Sequence, residues 1–146
     1  MKMDNTFALI GKIYSGMGTL LVQELKKAEV DGIVSSHGAI LMELFFQSEL
    51  PMNVLAEKIG KTPQTVTSLV KKLVDMGYLE TRKSESDRRT TMVLLTDKGR
   101  DLQPVFYSIS EKLYDTQYMG MTAEEIQELR RLLMMVLENF DQVLDE

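Results

Sequence analysis

The amino-acid sequence predicts a mainly α fold with a small β-hairpin wing. It reads as a winged helix-turn-helix core between N- and C-terminal helices that form a dimerisation region. Three observations lead there. Apolar residues recur at helical spacing over most of the 146 residues. One pair of short β-rich runs, Tyr78–Lys83 and Thr90–Thr96, interrupts them around a polar loop. The helices before that pair are short and closely punctuated by Pro51, Gly60, Thr62-Pro63 and Gly77. The expected boundaries are 1–34 for the N-terminal dimerisation helix, 35–97 for the winged core and 98–146 for the C-terminal dimerisation helices.

Residues 5–29 read as the first helix, with Phe7, Ile10, Ile13, Tyr14, Met17, Leu20, Leu21 and Leu25 on one stripe. Gly11, Gly16 and Gly18 lie inside it, each costing about 1 kcal/mol against alanine. Gly32 is the expected stop, and Ser35 or Ser36 caps a second helix over 36–47. A short helix over 52–59 ends at Gly60. Thr62 is a good N-cap and Pro63 suits the first helical position. Val66, Leu69, Val70 and Leu73 then give one apolar face, opposite Gln64, Thr67, Ser68, Lys71 and Asp75. After the hairpin, one helix is expected from Asp97 to Gln117. Thr122-Ala123-Glu124-Glu125 forms a capping box for a last helix, whose stripe runs from Ile126 to Leu144.

The absence of cysteine excludes disulfides, thiolate nucleophiles, thiol-based redox sensing and thiolate zinc sites. A single histidine, His37, excludes an all-histidine metal site within one chain. No phosphate-cradling glycine loop, base-activated nucleophile or paired-carboxylate motif is present, so no catalytic residue, metal or cofactor is expected. No apolar run approaches the roughly 20 residues of a membrane span, and no secretory leader is visible, which points to a cytoplasmic protein.

The net charge of −5 argues against a polyanion partner only until it is partitioned. Residues 1–57 carry −3, residues 58–100 carry +5 and residues 101–146 carry −7. A local basic patch, rather than overall pI, is what polyanion binding requires. It coincides with the third core helix and the hairpin, the elements a winged helix-turn-helix places against double-stranded DNA. On that helix, the amide of Gln64 can pair with adenine, and Thr65, Thr67 and Ser68 can reach base edges or phosphates. Lys71 and Lys72, with Lys61, Arg82, Lys83 and Arg88, are expected phosphate partners, which set register rather than sequence. The outer helices bear apolar stripes that the small core cannot cover alone. A homodimer resolves this, with a monomer whose helices fold back on themselves as the alternative; the dimer offers two reading helices to a pseudo-palindromic operator, with half-sites about one helical turn apart.

Several stretches resemble the MarR family of bacterial transcription regulators. Leu55-Ala56-Glu57-Lys58-Ile59-Gly60 is similar to the family's first helix-turn-helix helix, and Val66–Leu73 closed by Gly77-Tyr78-Leu79 to its recognition helix and exit. The most specific match is Asp87-Arg88-Arg89 followed by Leu95-Thr96-Asp97-Lys98-Gly99, which resembles the family's wing tip and its Leu-Thr-x-x-Gly lead into the next helix. The first helix departs from the family in its three glycines and in lacking an arginine often found there.

The resemblance implies that Arg89 enters the minor groove, where narrow A·T-rich segments favour a guanidinium. Asp87 would bond the wing backbone or the Arg89 side chain and so hold the arginine in aim. It also implies a small anionic or phenolic effector near the junction of dimer helices and core, where Tyr14, Met17, His37 and Met42 are candidate lining residues. A structural role for His37 and ordinary packing for the other three are the alternatives. The resulting expectation is a sequence-specific DNA-binding regulator, a repressor relieved by a small-molecule effector. The rival is a winged-helix protein–protein interaction module without operator binding.

Overall fold

The computed structural model describes residues 3–145. Met1 and Lys2, which open the expected segment 1–34, and Glu146, which closes 98–146, lie outside the described residues. The elements run α1 (Thr6–Lys27), α2 (Ser35–Phe46), β1 (Glu49–Pro51), α3 (Met52–Ile59), α4 (Pro63–Asp75), β2 (Leu79–Lys83), β3 (Thr91–Leu95), α5 (Asp97–Arg100), α6 (Gln103–Gln117) and α7 (Ala123–Leu144). The fold is mainly helical with a small antiparallel sheet, as the sequence predicts. Residues up to Leu113 form one compact unit and those from Tyr114 onward a second.

In the first unit, Leu25 of α1, Ile40, Leu41 and Leu44 of α2, Leu55 of α3 and Val66, Val70 and Leu73 of α4 bury their side chains together with Val93, Leu95, Phe106 and Ile109. Burial of such aliphatic groups contributes about 1.5–3 kcal/mol each. It fixes which face of each amphipathic helix turns inward, and hence which face is left for function. Phe45 of α2 meets the rings of Phe106 and Tyr107 edge-on, at 5.6 and 6.3 Å between centroids. Glu24 ties α1 to α6 through Lys112 at 2.7 Å, and also pairs with Lys27 at 2.7 Å. Hydrogen bonds from these two ammonium groups hold its carboxyl below the usual carboxylate range.

Three details differ from expectation. The sheet has three strands in the order β1-β3-β2, not two. Leu50 and Thr81 both face Val93 across the ladder. β1 is only three residues long, too short for alternation to register, and Pro51 is tolerated because β1 is an edge. Second, the cap of α2 is Val34, so neither Ser35 nor Ser36 is the N-cap. The Val34 N–H donates to Nδ1 of His37 at 3.2 Å, so the third helical side chain supplies the acceptor. Third, the helix expected over 97–117 is interrupted after Arg100. Pro104 lacks an N–H and its ring would clash with the Arg100 carbonyl in a continuous helix. The chain turns at Asp101-Leu102 and resumes with Phe106 N–H bonded to the Leu102 carbonyl at 3.0 Å.

The end of α1 closes in a Schellman arrangement, with Val30 N–H on the Leu25 carbonyl and Glu29 N–H on that of Lys26. Glu29 occupies the left-handed position at φ 61°, where glycine is usual.

In the second unit, Thr122 and Glu125 form the expected capping box. Thr122 N–H donates to Oε2 of Glu125 at 2.8 Å, and Glu125 N–H to Oγ1 of Thr122 at 3.2 Å. α7 buries none of its residues, and Leu133, Leu137, Phe140 and Val143 are exposed along it.

Candidate nucleic-acid interface

α4 is positioned from its inner side. Thr62 Oγ1 accepts the Thr65 N–H at 3.3 Å, Pro63 supplies the first turn, and Val66, Val70 and Leu73 are buried. The 3.6-residue period then forces Gln64, Thr65, Thr67, Ser68, Lys71 and Lys72 outward, and all six are exposed. The structure thus gathers the predicted base-reading residues and two phosphate candidates on one free surface of one helix.

Their hydrogen-bonding capacities differ. The Thr67 hydroxyl donates to the Pro63 carbonyl at 2.8 Å, which leaves its methyl and an oxygen lone pair outward. The Thr65 hydroxyl accepts from Thr62 at 2.8 Å and keeps its own proton to offer. Gln64 and Ser68 have no side-chain bond among the described residues. Lys71 pairs with Asp75 at 3.2 Å, an exposed i,i+4 contact of small worth.

The wing is held by β2 and β3 in register, with Lys83 opposite Thr91 and Arg82 opposite Met92. Asp87 organises its tip. Its Oδ1 accepts the Arg89 N–H at 3.0 Å, its N–H lies 3.4 Å from the Ser84 hydroxyl, and its carbonyl accepts the Thr90 N–H at 2.9 Å. Of the two expected roles, the structure places Asp87 on the wing backbone. The Arg88 and Arg89 side chains are exposed, with no hydrogen-bond or ion-pair partner among the described residues. Two guanidinium groups on a carboxylate-braced turn make a cationic probe.

Other predicted phosphate partners stand apart. Arg82 donates to Glu49 of β1 at 2.6 Å, a contact the sequence reading missed because the two lie 33 residues apart. Lys83 donates to the Thr91 hydroxyl at 3.2 Å. Lys61 is half-buried.

His37 is 4% exposed, on the inner face of α2. Burial, and then the Lys72 charge, hold its imidazole below the ordinary histidine range. Its Nδ1 caps the helix by accepting the Val34 N–H, a role open only to an unprotonated ring nitrogen. Tyr14 is 63% exposed, while Met17 and Met42 are half-buried. An open crevice lies between α1 and the start of α2, lined by Ser15, Gly18, Thr19, Val22, Gln23, Val34 and Ser35. None of the four candidate effector residues lines it. Among the described residues no group of acidic or histidine side chains could hold a metal ion, and no helix is long and apolar enough to cross a membrane.

Comparison with known proteins follows the same geometry. A sequence model described as "MarR family" matches residues 32–90, which span α2 to the wing. The chain is 29% identical over 116 residues to the HTH-type transcriptional regulator SarZ of Staphylococcus epidermidis, covering 79% of this chain and 77% of that one. Its fold is similar to that of MepR from S. aureus, solved as a DNA complex, with a TM-score of 0.85, 23% identity and 94% and 99% of the two chains covered. It is also similar to PcaV from Streptomyces coelicolor, solved with its natural ligand, with a TM-score of 0.81, 18% identity and 94% and 97% covered.

Proposed function

We propose that the chain, whose residues 32–90 match the sequence model described as "MarR family", is a DNA-binding transcription regulator of that family acting as a homodimer on a pseudo-palindromic operator. One observation carries this reading: the outward face of α4 presents Gln64, Thr65, Thr67, Ser68, Lys71 and Lys72, with the single carboxylate of Asp75 at its end, while a braced turn presents two arginines unpaired among the described residues. Gln64, Thr65, Thr67 and Ser68 read base edges. Lys71 and Lys72, with Arg88 and the more constrained Lys61, Arg82 and Lys83, neutralise phosphate. Arg89 enters the minor groove. The named function of SarZ and the DNA-bound state of MepR support this assignment.

Homodimerisation is supported by the apolar side chains left exposed on α1 (Phe7, Ile10, Ile13, Tyr14) and along α7. We propose that the regulator represses, and that a small anionic or phenolic effector relieves it by preferring dimers of unsuitable spacing. The ligand-bound state of PcaV supports an effector in this fold. The crevice between α1 and α2 is the place to look for it, beside the Tyr14, Met17, His37 and Met42 set.

The test combines a mobility shift on the duplex upstream of its own gene with selection from a random duplex pool. Enrichment of a two-fold related sequence, shifted by the full chain, is expected. A pool that stays random after selection, with no shift on the upstream duplex, overturns the proposal.

A further inference from the structure

The Leu95-Thr96-Asp97-Lys98-Gly99 stretch has no role in the reading above, yet three of its residues converge on the exit of α4. A helix end leaves its last carbonyls without partners. In α4, Tyr78 N–H takes the Leu73 carbonyl at 3.0 Å and Gly77 N–H that of Val74 at 2.9 Å, with Gly77 at φ +83°. The carbonyls that follow are taken from a distance of about twenty residues in sequence. Lys98 Nζ donates to the Met76 carbonyl at 2.8 Å, and the Thr96 hydroxyl to the Gly77 carbonyl at 2.6 Å. Thr96 Oγ1 also accepts the Gly99 N–H at 3.0 Å, capping α5. Gly99 lies so close that a Cβ there would stand 2.1 Å from the Tyr78 carbonyl oxygen.

Lys98 is committed to this junction along its length. Its ammonium stands 4.7 Å from the Tyr78 ring centroid, within cation–π range. Its Cδ packs over Gly77, 3.5 Å from where a Cβ would sit. A cation at a helix C-terminus is favoured by the helix dipole. Unlike Lys72, Arg88 and Arg89, Lys98 spends its charge on the backbone of the helix that presents the reading face.

We infer that Lys98 is a positioning residue for DNA recognition: it fixes the exit of α4 through the Met76 carbonyl and does not contact phosphate. The inference rests on the DNA-binding reading of α4. Lys98→Met keeps the stem over Gly77 and Tyr78 but removes the donor; Lys98→Arg keeps a donor. Full-length wild type and both variants are titrated by fluorescence anisotropy against the selected duplex and a scrambled duplex of equal length, at about 50 to 200 mM KCl. Amide hydrogen exchange is followed without DNA. The expected result for Lys98→Met is a loss of about three- to tenfold on the selected duplex. The scrambled duplex is unaffected, the salt slope is unchanged, the Met76–Leu79 amides exchange faster, and Lys98→Arg restores affinity.

An equal loss on both duplexes, with the salt slope shallower by about one per subunit, identifies a phosphate contact and overturns the inference. Wild-type affinity in Lys98→Met overturns it too, and faster exchange alongside then assigns Lys98 to stability only. A wild type that binds neither duplex removes the DNA-binding reading, and the positioning role with it. The exchange data still report whether the junction holds α4.

Discussion

The Asp87 carboxylate accepts the backbone N–H of Arg89 at 3.0 Å and makes no bond to its guanidinium. The acid at the wing tip therefore shapes the turn and leaves the arginine unpaired. Arg89→Ala is expected to weaken operator binding on the order of tenfold to a hundredfold while the dimer persists. Asp87→Ala should cost about fivefold through loss of the turn. Asp87→Asn keeps an oxygen acceptor and should stay near wild type. Anisotropy titrations separate these. Asn as harmful as Ala would show that charge, rather than turn geometry, is what Asp87 supplies.

The buried His37 accepts the Val34 N–H, which only the neutral imidazole can do. Burial, and then the Lys72 charge, hold its folded-state pKa below the ordinary histidine range, so the unfolded chain takes up a proton first as pH falls. The associated stability is fully present above about pH 6.5 and is lost as pH falls through the lowered folded value. As the single histidine, it dominates side-chain titration in this window. Urea unfolding at about pH 7.5 and 5.5 should show a drop for wild type. His37→Gln supplies a capping acceptor that does not titrate, and its drop should be much smaller. An equal drop in both proteins would remove His37 as the cause.

Much of this was legible in the sequence because its signals are local. Thr62-Pro63 starts α4, the Val66-Val70-Leu73 stripe turns it, and the Thr122/Glu125 box starts α7 as written. The outward face of α4 follows from helical periodicity alone. What stayed hidden depends on partners distant in sequence or on very short elements. β1 spans three residues and exists because Glu49 and Leu50 find Leu94 and Val93. Arg82 reads as a free cation until Glu49 is brought beside it. The Val34 cap needs a histidine side chain folded back on the helix start, against the usual preference for serine there. Pro104 did carry a local signal for the break before α6, masked by the continuous apolar spacing around it. That none of Tyr14, Met17, His37 and Met42 lines the α1–α2 crevice was likewise beyond local signals, since His37 is buried and capping α2.

Gly99 tolerates no side chain, since an added Cβ would meet the Tyr78 carbonyl oxygen at 2.1 Å and Leu95 Cδ2 at 3.0 Å. The Tyr78 backbone cannot yield without displacing the α4–α5 junction. Gly99→Ala should lower stability by about 2–4 kcal/mol, measured by denaturant unfolding with unchanged slope. A loss under about 0.5 kcal/mol would mean that the junction is more pliant than this packing implies.

None of the apolar residues of α7 is buried among the described residues, with Leu133 48% and Leu137 53% exposed. Sedimentation equilibrium at micromolar concentration should give a dimer for wild type and a monomer for Leu133→Asp/Leu137→Asp. Helical content should change little, because neither side chain is buried in the single chain. A monomeric wild type, or a variant that stays dimeric, would place the dimer contacts elsewhere.

The central claim, that a chain of net charge −5 reads DNA through a local cationic surface, is tested most directly by salt dependence. The duplex from upstream of its own gene is titrated with full-length protein over a range of KCl. A dimer that neutralises about six to eight phosphates predicts that log K falls with log salt at a slope of roughly −5 to −7. A slope near −1 would contradict phosphate engagement by the wing and α4, and with it the account of this surface as a DNA reader.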